Sequence, residues 1–257
     1  MLKNKTVNIF FVLALITIMI SDNFSEIPLW IYLLIILVYS LMQAYGSIVL
    51  SAEFFVDVRS SGERSLNQVA LTFDDGPIPG MTDQILAVLE HYQVSAAFFC
   101  IGNRIKENPT LLTRINSKGH IVGNHSYWHG KLFDLQTAGA IHRELADTNE
   151  VIFETLGVRP NFFRPPYGVT NPMVASAIRQ GGFKTIGWSI RSLDTVIKDS
   201  EKLFKKVSST VQGGDIILFH DSSESTLAIL PRLIEHIQKS GLRIVRLDEL
   251  LNEKAYA

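Results

Sequence analysis

The chain has 257 residues, 47% of them hydrophobic and 19% charged, with a formal net charge of −1. That is enough for one large folded domain and is not the composition of a disordered chain. Near-neutral charge without a basic run argues against nucleic acid as a partner, and no feature implies a protein partner.

The N-terminal stretch reads as a membrane anchor over residues 1–50. "VNIFFVLALITIMI" (7–20) is charge-free, but as a helix its 14 residues span only about 21 Å, short for a bilayer. The second run, 27–50, is long enough to cross, with Trp30, Tyr32 and Tyr45 towards its ends, where interfacial aromatics belong. Lys3 and Lys5 resemble the start of a signal peptide, yet no small-residue cleavage site follows and a second apolar helix comes at once, so a transmembrane helical hairpin is expected. The same lysines favour a cytoplasmic N-terminus, while the connecting loop carries only Asp22 and Glu26. Two crossings return the rest of the chain to the cytoplasmic side of the plasma (inner) membrane. An interfacial first helix leaves it outside. The two-crossing topology is the reading adopted from the sequence.

Residues 51–65 are mixed and mostly polar and read as a link; 66–257 read as an α/β domain. Short apolar runs at 68–75, 95–102, 120–126, 161–166, 184–190, 215–221 and 243–250 predict seven strands. Amphipathic patterns at 81–91, 109–118, 135–156, 172–180, 200–211 and 226–239 predict helices, several stopped by glycine. Alternation of this kind predicts a mainly parallel sheet with helices outside it, either an open sheet or a small, incomplete (β/α) barrel. Cys100, the single cysteine, falls in an apolar strand and is expected to be buried. Lys202, Lys205 and Lys206 read as a solvated helix face, and His91, His142 and His236 as surface residues; His120 is given no role.

In both architectures active groups gather at the C-terminal ends of the strands. Asp74 and Asp75 end the first strand, His125 the third, Arg164 the fourth and His220 the sixth, and the fifth leads to Asp194. "HSYWH" spaces His125 and His129 four apart, which on a helical turn puts two imidazoles on one face, able to grip a metal. Zinc proteases of this spacing carry a glutamate base after the first histidine; here Ser126 stands there, so the base must come from elsewhere. The aspartate pair supplies it. One can be the third ligand, leaving a position open for water, and the other can take the proton of that water.

"TFDDGP", "HSYWH", "RPPYG" and "LFH", in this order, resemble the polysaccharide deacetylase family (NodB homology domain, carbohydrate esterase family 4) over roughly residues 66–250. The resemblance implies a distorted (β/α) barrel that removes acetyl groups from N-acetylated sugars with one divalent metal ion, usually zinc. It implies Asp75, His125 and His129 as ligands, Asp74 as base and Arg164 as its orienting partner. It further implies the Tyr167 backbone N–H as an oxyanion donor, His220 as general acid paired with Asp194, Leu218 in the acetyl pocket and Trp188 at the substrate site. Arg191 and Thr195 depart from the pattern, standing where an aspartate and a tryptophan are common. Arg191 is expected either to meet an anionic part of the substrate or to sit in a surface ion pair. The expected substrate is a peptidoglycan, envelope polysaccharide or lipid-linked N-acetyl sugar. A non-catalytic carbohydrate-binding module that retains the metal is the alternative.

Overall fold

The computed structural model describes residues 2–257. It opens with a helical hairpin, α1 (Asn4–Asp22) and α2 (Leu29–Ile48), of 19 and 20 residues. Both are long and apolar enough to cross a membrane, on length and composition alone; a signal sequence has the same properties. α1 exceeds the apolar run because Asn4, Lys5, Thr6, Ser21 and Asp22 continue its helix, which lengthens it to about 28 Å. Four polar side chains pair across the hairpin. Tyr39 OH donates to Asn8 Oδ1 at 3.0 Å, Gln43 Nε2 donates to Asn4 Oδ1 at 3.1 Å, and the Phe11 and Tyr39 rings stack at 4.0 Å.

The elements that follow are β1 (Val58–Arg59), β2 (Gln68–Asp74), α3 (Met81–His91), β3 (Ala96–Cys100), α4 (Gly102–Glu107), α5 (Pro109–Ser117), β4 (Ile121–Asn124), α6 (Ala138–Leu156), β5 (Phe162–Phe163), α7 (Pro172–Gly181), β6 (Lys184–Ile186), β7 (Ile190–Arg191), α8 (Ser200–Ser208), β8 (Ile216–His220), α9 (Glu224–Lys239), β9 (Arg243–Ile244) and α10 (Leu247–Leu251). The strands form one parallel sheet in the order β1-β6-β5-β4-β3-β2-β8-β7, with β9 paired to β2. All seven expected strands are present, and β1 and β7, two residues each, are additional. Residues 51–65 therefore include a sheet strand, Val58 lying level with Thr185. The strand expected over 243–250 stops at Ile244 and gives way to α10.

The sheet is curled into an incomplete barrel. In a flat sheet β5 and β2 would lie about 14 Å apart, three spacings of about 4.8 Å. Yet Arg164, next after β5, reaches Asp74 of β2 with Nη1 to Oδ1 at 2.7 Å. Along β2 the alternation of side chains divides two environments. Val69, Leu71 and Phe73 join the layer beneath the helices, where Phe73 stacks with Phe98 and Phe219. Ala70, Thr72 and Asp74 point to the concave side, whose lower part is filled by Phe99, Phe162, Val245, Leu247 and Leu250. Each such buried side chain contributes about 1.5–3 kcal/mol. Polar groups on the concave side thus have one way out, through the mouth at the strand C-termini.

Candidate active site

Nine of the eleven residues singled out from the sequence for a site meet at that mouth, and the other two stand just behind it. A cleft of about 190 Å³ is lined by Asp74, Asp75, His125, His129, Tyr167, Trp188, Arg191, Leu218 and His220, with Thr195 and the 165–168 loop. Arg164 and Asp194, both fully buried, stand behind its walls.

Asp74 ends β2 on the concave side, level with His220 of β8. Asp75 lies just beyond the strand, and its φ of 77° turns the backbone so that the two carboxylates separate. The divergence comes from this turn, not from the two faces of one strand. The turn is held by contacts from elsewhere: Arg104 donates to the Asp75 carbonyl, Ile101 N–H to Gly76 O and Asp221 N–H to Asp74 O. Gly76 has to be glycine, since a Cβ there would come 2.2 Å from Asp221 Oδ2.

His125 and His129 occupy a loop after β4, not the helical turn that their spacing suggested. Ser126 and His129 have φ of 63° and 51°, left-handed values that a helix does not contain. Asn124 Oδ1 accepts from Ser126 N–H at 3.0 Å, and Glu144 Oε2 accepts from Trp128 N–H at 3.2 Å. The loop nevertheless delivers both rings to Asp75: His125 Nε2 is 3.6 Å and His129 Nε2 3.5 Å from its Oδ1.

This trio suits a divalent ion. One ligand atom from each residue lies within 4.8 Å of the others. Metal–ligand bonds of about 2.0–2.1 Å in tetrahedral geometry place neighbouring donors about 3.3 Å apart, close to the distances found. His125 Nδ1 is 2.8 Å from Arg164 O, a carbonyl that can only accept, so this nitrogen carries the proton and Nε2 presents its lone pair to the centre. Burial, helped by the neighbouring His125, pushes His129 down to about 4, which keeps it a neutral donor.

Flanking the trio are two charge-paired groups. Asp74 is held by Arg164, whose guanidinium also donates to Thr72 Oγ1 at 2.9 Å and Gly187 O at 2.8 Å and lies 4.1 Å over the Phe99 ring. His220 Nδ1 is 2.7 Å from Asp194 Oδ1, and its backbone N–H donates to Asp194 Oδ2 at 2.8 Å. Burial would lower His220, but the Asp194 hydrogen bond and the charges of Asp74, Asp194 and Asp75 outweigh it and raise the imidazole above its ordinary value. Asp194 is itself desolvated, and the bonds from His220 and Thr226 override that effect and hold its carboxyl low.

The opposite wall is the 165–168 loop. Tyr167 has φ of 59°, and its ring meets His129 edge-on at 4.7 Å. At Gly168, φ of +70° and a Trp188 atom 2.3 Å from any Cβ exclude other residues. Arg191 is exposed, with its guanidinium 5.7 Å from the Trp188 ring.

Comparison with known proteins gives this geometry its context. Residues 61–186 match the family model described as polysaccharide deacetylase. A peptidoglycan-N-acetylglucosamine deacetylase of Bacillus cereus is 33% identical over 192 residues, covering 72% of this chain and 89% of that protein. The chain belongs to the polysaccharide deacetylase family. Listeria monocytogenes PgdA, a peptidoglycan-N-acetylglucosamine deacetylase, is 35% identical over 73% of this chain, which spans only 39% of that protein's length. The solved Bc1960 peptidoglycan N-acetylglucosamine deacetylase superposes with a TM-score of 0.72 at 28% identity, over 78% of this chain and 95% of that one. Bacillus anthracis BA3943, described as a family 4 pseudoenzyme, does so with a TM-score of 0.72 at 27% identity, over 77% and 70%.

Several residues that shape the deacetylase-like cleft were not singled out in the sequence. Asp221 buttresses the Asp74–Gly76 turn, accepting from Thr82 Oγ1 at 2.6 Å, and burial pushes its carboxyl up to about 7. Glu144 and Asn124 shape the histidine loop, and Thr226 holds Asp194. Among the described residues, the remaining histidines belong to no cluster of metal-ready donors. His120 is buried with Nδ1 accepting from Ala96 N–H at 3.2 Å, and His142 and His236 are half-buried on their helices where surface positions were expected. Cys100 is buried, and that burial pushes its thiol up.

Proposed function

We propose that this chain is a metal-dependent hydrolase that removes N-acetyl groups from N-acetylhexosamine units of a cell-envelope glycan. Residues 1–50 act as its membrane anchor and 66–257 as its catalytic domain. The observation that carries the reading is the placement of three metal-ready donors, Asp75, His125 and His129, between an arginine-held carboxylate and an aspartate-held imidazole in one cleft. The names of the Bacillus cereus and Listeria relatives support the acetylated-sugar substrate.

The residues divide the work of hydrolysis. Asp75, His125 and His129 would hold a divalent ion such as zinc, which would supply Lewis-acid polarisation and a more acidic water. Asp74 takes the proton from the attacking water as its oxygen bonds to the acetyl carbon. Arg164 fixes the orientation of that carboxylate. The Tyr167 backbone N–H stands at the carbonyl side, where the oxygen becomes negative. His220, protonated through its bond to Asp194, gives its proton to the sugar nitrogen as the C–N bond breaks, so acetate and a free amine leave. Leu218 receives the acetyl methyl group, and Trp188 walls the sugar.

BA3943 motivates one second reading, a glycan-binding protein that keeps the site without turnover. Mass spectrometry of N-acetylglucosamine oligomers incubated with the zinc-loaded protein separates the two. Appearance of a free-amine sugar establishes hydrolysis, whereas binding without any mass change establishes the second reading.

A further inference from the structure

The two hairpin helices join the α/β portion at the same end. Lys3 Nζ donates to Asp57 Oδ1 at 2.7 Å and to Glu53 Oε2 at 3.4 Å, and Asn4 N–H donates to Phe54 O at 2.9 Å. Gly46, near the end of α2, lies so close to Phe54 that a Cβ would come 2.2 Å from its ring. The start of α1 and the end of α2 are therefore fastened to the same segment. In any bilayer that the hairpin crosses, the N-terminus and the cleft lie on one side.

Lysine and arginine gather at one end, although the acids Glu53, Asp57 and Glu63 share it. Lys3, Lys5, Arg59 and Arg64 flank the hairpin where it meets the domain, and the far loop holds Asp22 and Glu26 without a cation. Such a bias places the cationic end in the cytoplasm. Lys3, Lys5, Arg59, Arg179 and Lys184 line a cavity of about 680 Å³ with Asp57; Lys3 is paired with Asp57 and Glu53, and Arg59 and Lys184 with Glu253, which leaves Lys5 and Arg179 to meet anionic headgroups.

The cleft is built against this junction. Ser47 O, at the end of α2, accepts from Thr170 N–H at 3.1 Å, three residues past Tyr167 in the chain. Leu50 Cδ2 would be 3.4 Å from a Cβ on Gly187, the neighbour of Trp188. The cleft's carboxylates, Asp74 and Asp75, face Arg164 and the histidines, and Asp194 behind the wall faces His220. Arg191 forms no ion pair among the described residues. It is an uncompensated guanidinium at the rim of a sugar-sized cleft, 5.7 Å from the ring of Trp188, whose neighbour Gly187 faces Leu50 just past α2.

We infer that the substrate is an N-acetylated sugar carried on a phosphate of a membrane lipid, met at the cytoplasmic face, with Arg191 holding the phosphate. A guanidinium matches phosphate oxygens in both charge and geometry. The inference rests on the deacetylase reading and narrows it to a membrane-borne precursor.

The test uses the full chain with zinc and compares acetate release from three substrates: N-acetylglucosamine on a polyprenyl pyrophosphate, an uncharged alkyl N-acetylglucosaminide in the same micelles, and soluble N-acetylglucosamine 1-phosphate. The expected kcat/KM for the first exceeds each of the others at least about tenfold, the scale of one charge-assisted contact. Arg191→Gln is expected to cut the preference for the pyrophosphate lipid over the uncharged lipid about tenfold, mainly through KM, and Arg191→Lys to restore part of it. In intact cells an impermeant maleimide is expected to label Ser25→Cys and to spare Lys254→Cys; the buried Cys100 gives no background. Equal use of the uncharged lipid or of the soluble phosphate, an unchanged preference in Arg191→Gln, or labelling of position 254 overturns this inference alone. No acetate from any of the three overturns the deacetylase reading with it.

Discussion

Asp194 grips His220 twice, through Nδ1 at 2.7 Å and through the backbone N–H at 2.8 Å. The carboxylate thereby fixes the ring and favours its protonated form, the form that can donate to a departing amine. An acid of this kind loses activity as the pH rises through its pKa. Asp194→Asn removes the charge that raises His220, so the alkaline limb of the kcat/KM profile moves to lower pH. A limb that stays in place would show that another group is the acid.

Arg164 is a fully buried arginine whose four hydrogen bonds join β2 to the end of β6. Arg164→Met leaves Asp74 buried without its partner, a change that costs about 3–5 kcal/mol. Urea unfolding of the variant is expected to show a loss of that size. A loss below about 1 kcal/mol would mean that solvent, not Arg164, compensates Asp74.

Zinc titration addresses the trio. The wild-type chain is expected to bind one ion, and His129→Ala to lose at least about tenfold in affinity with its circular dichroism unchanged. Equal affinity in the two proteins would remove His129 from the ligand set.

Much of this site was legible in the sequence because its chemistry sits where strands end, and strands announce themselves by apolar runs. Asp74, Asp75, His125, Arg164 and His220 are placed this way; four of them line the cleft and Arg164 stands behind it. The path of the backbone between them was not legible. The positive φ values at Asp75, Ser126 and His129 are imposed by distant contacts, and a four-residue histidine spacing looks helical without them. β1 and β7, two residues each, leave no periodicity to read; β5 and β9 are as short but lie inside longer runs that mark them. The hairpin's polar ends hid the true length of α1, which was underestimated from its apolar run.

Asp221 shows the same limit, since its partner Thr82 is 139 positions away. It also yields a stability test. Its folded-state carboxyl titrates at about 7 rather than near 3.8, so the folded protein keeps a proton that the unfolded chain has released. The stability it contributes is full below the unfolded value and is lost as the pH rises through about 7. In the presence of chelator, the Tm of Asp221→Asn relative to wild type is expected to climb between about pH 4 and 7 and to level off above that. A difference independent of pH would place the proton elsewhere.

The most direct measurement is acetate release from N-acetylglucosamine substrates, lipid-linked ones included, by the zinc-loaded protein and by Asp74→Asn. The account predicts release by the wild type and a rate lower by about 10²–10⁴-fold in the variant, the contribution of a positioned general base. Equal rates in the two proteins, or no acetate from a chain that binds one zinc ion, would contradict it.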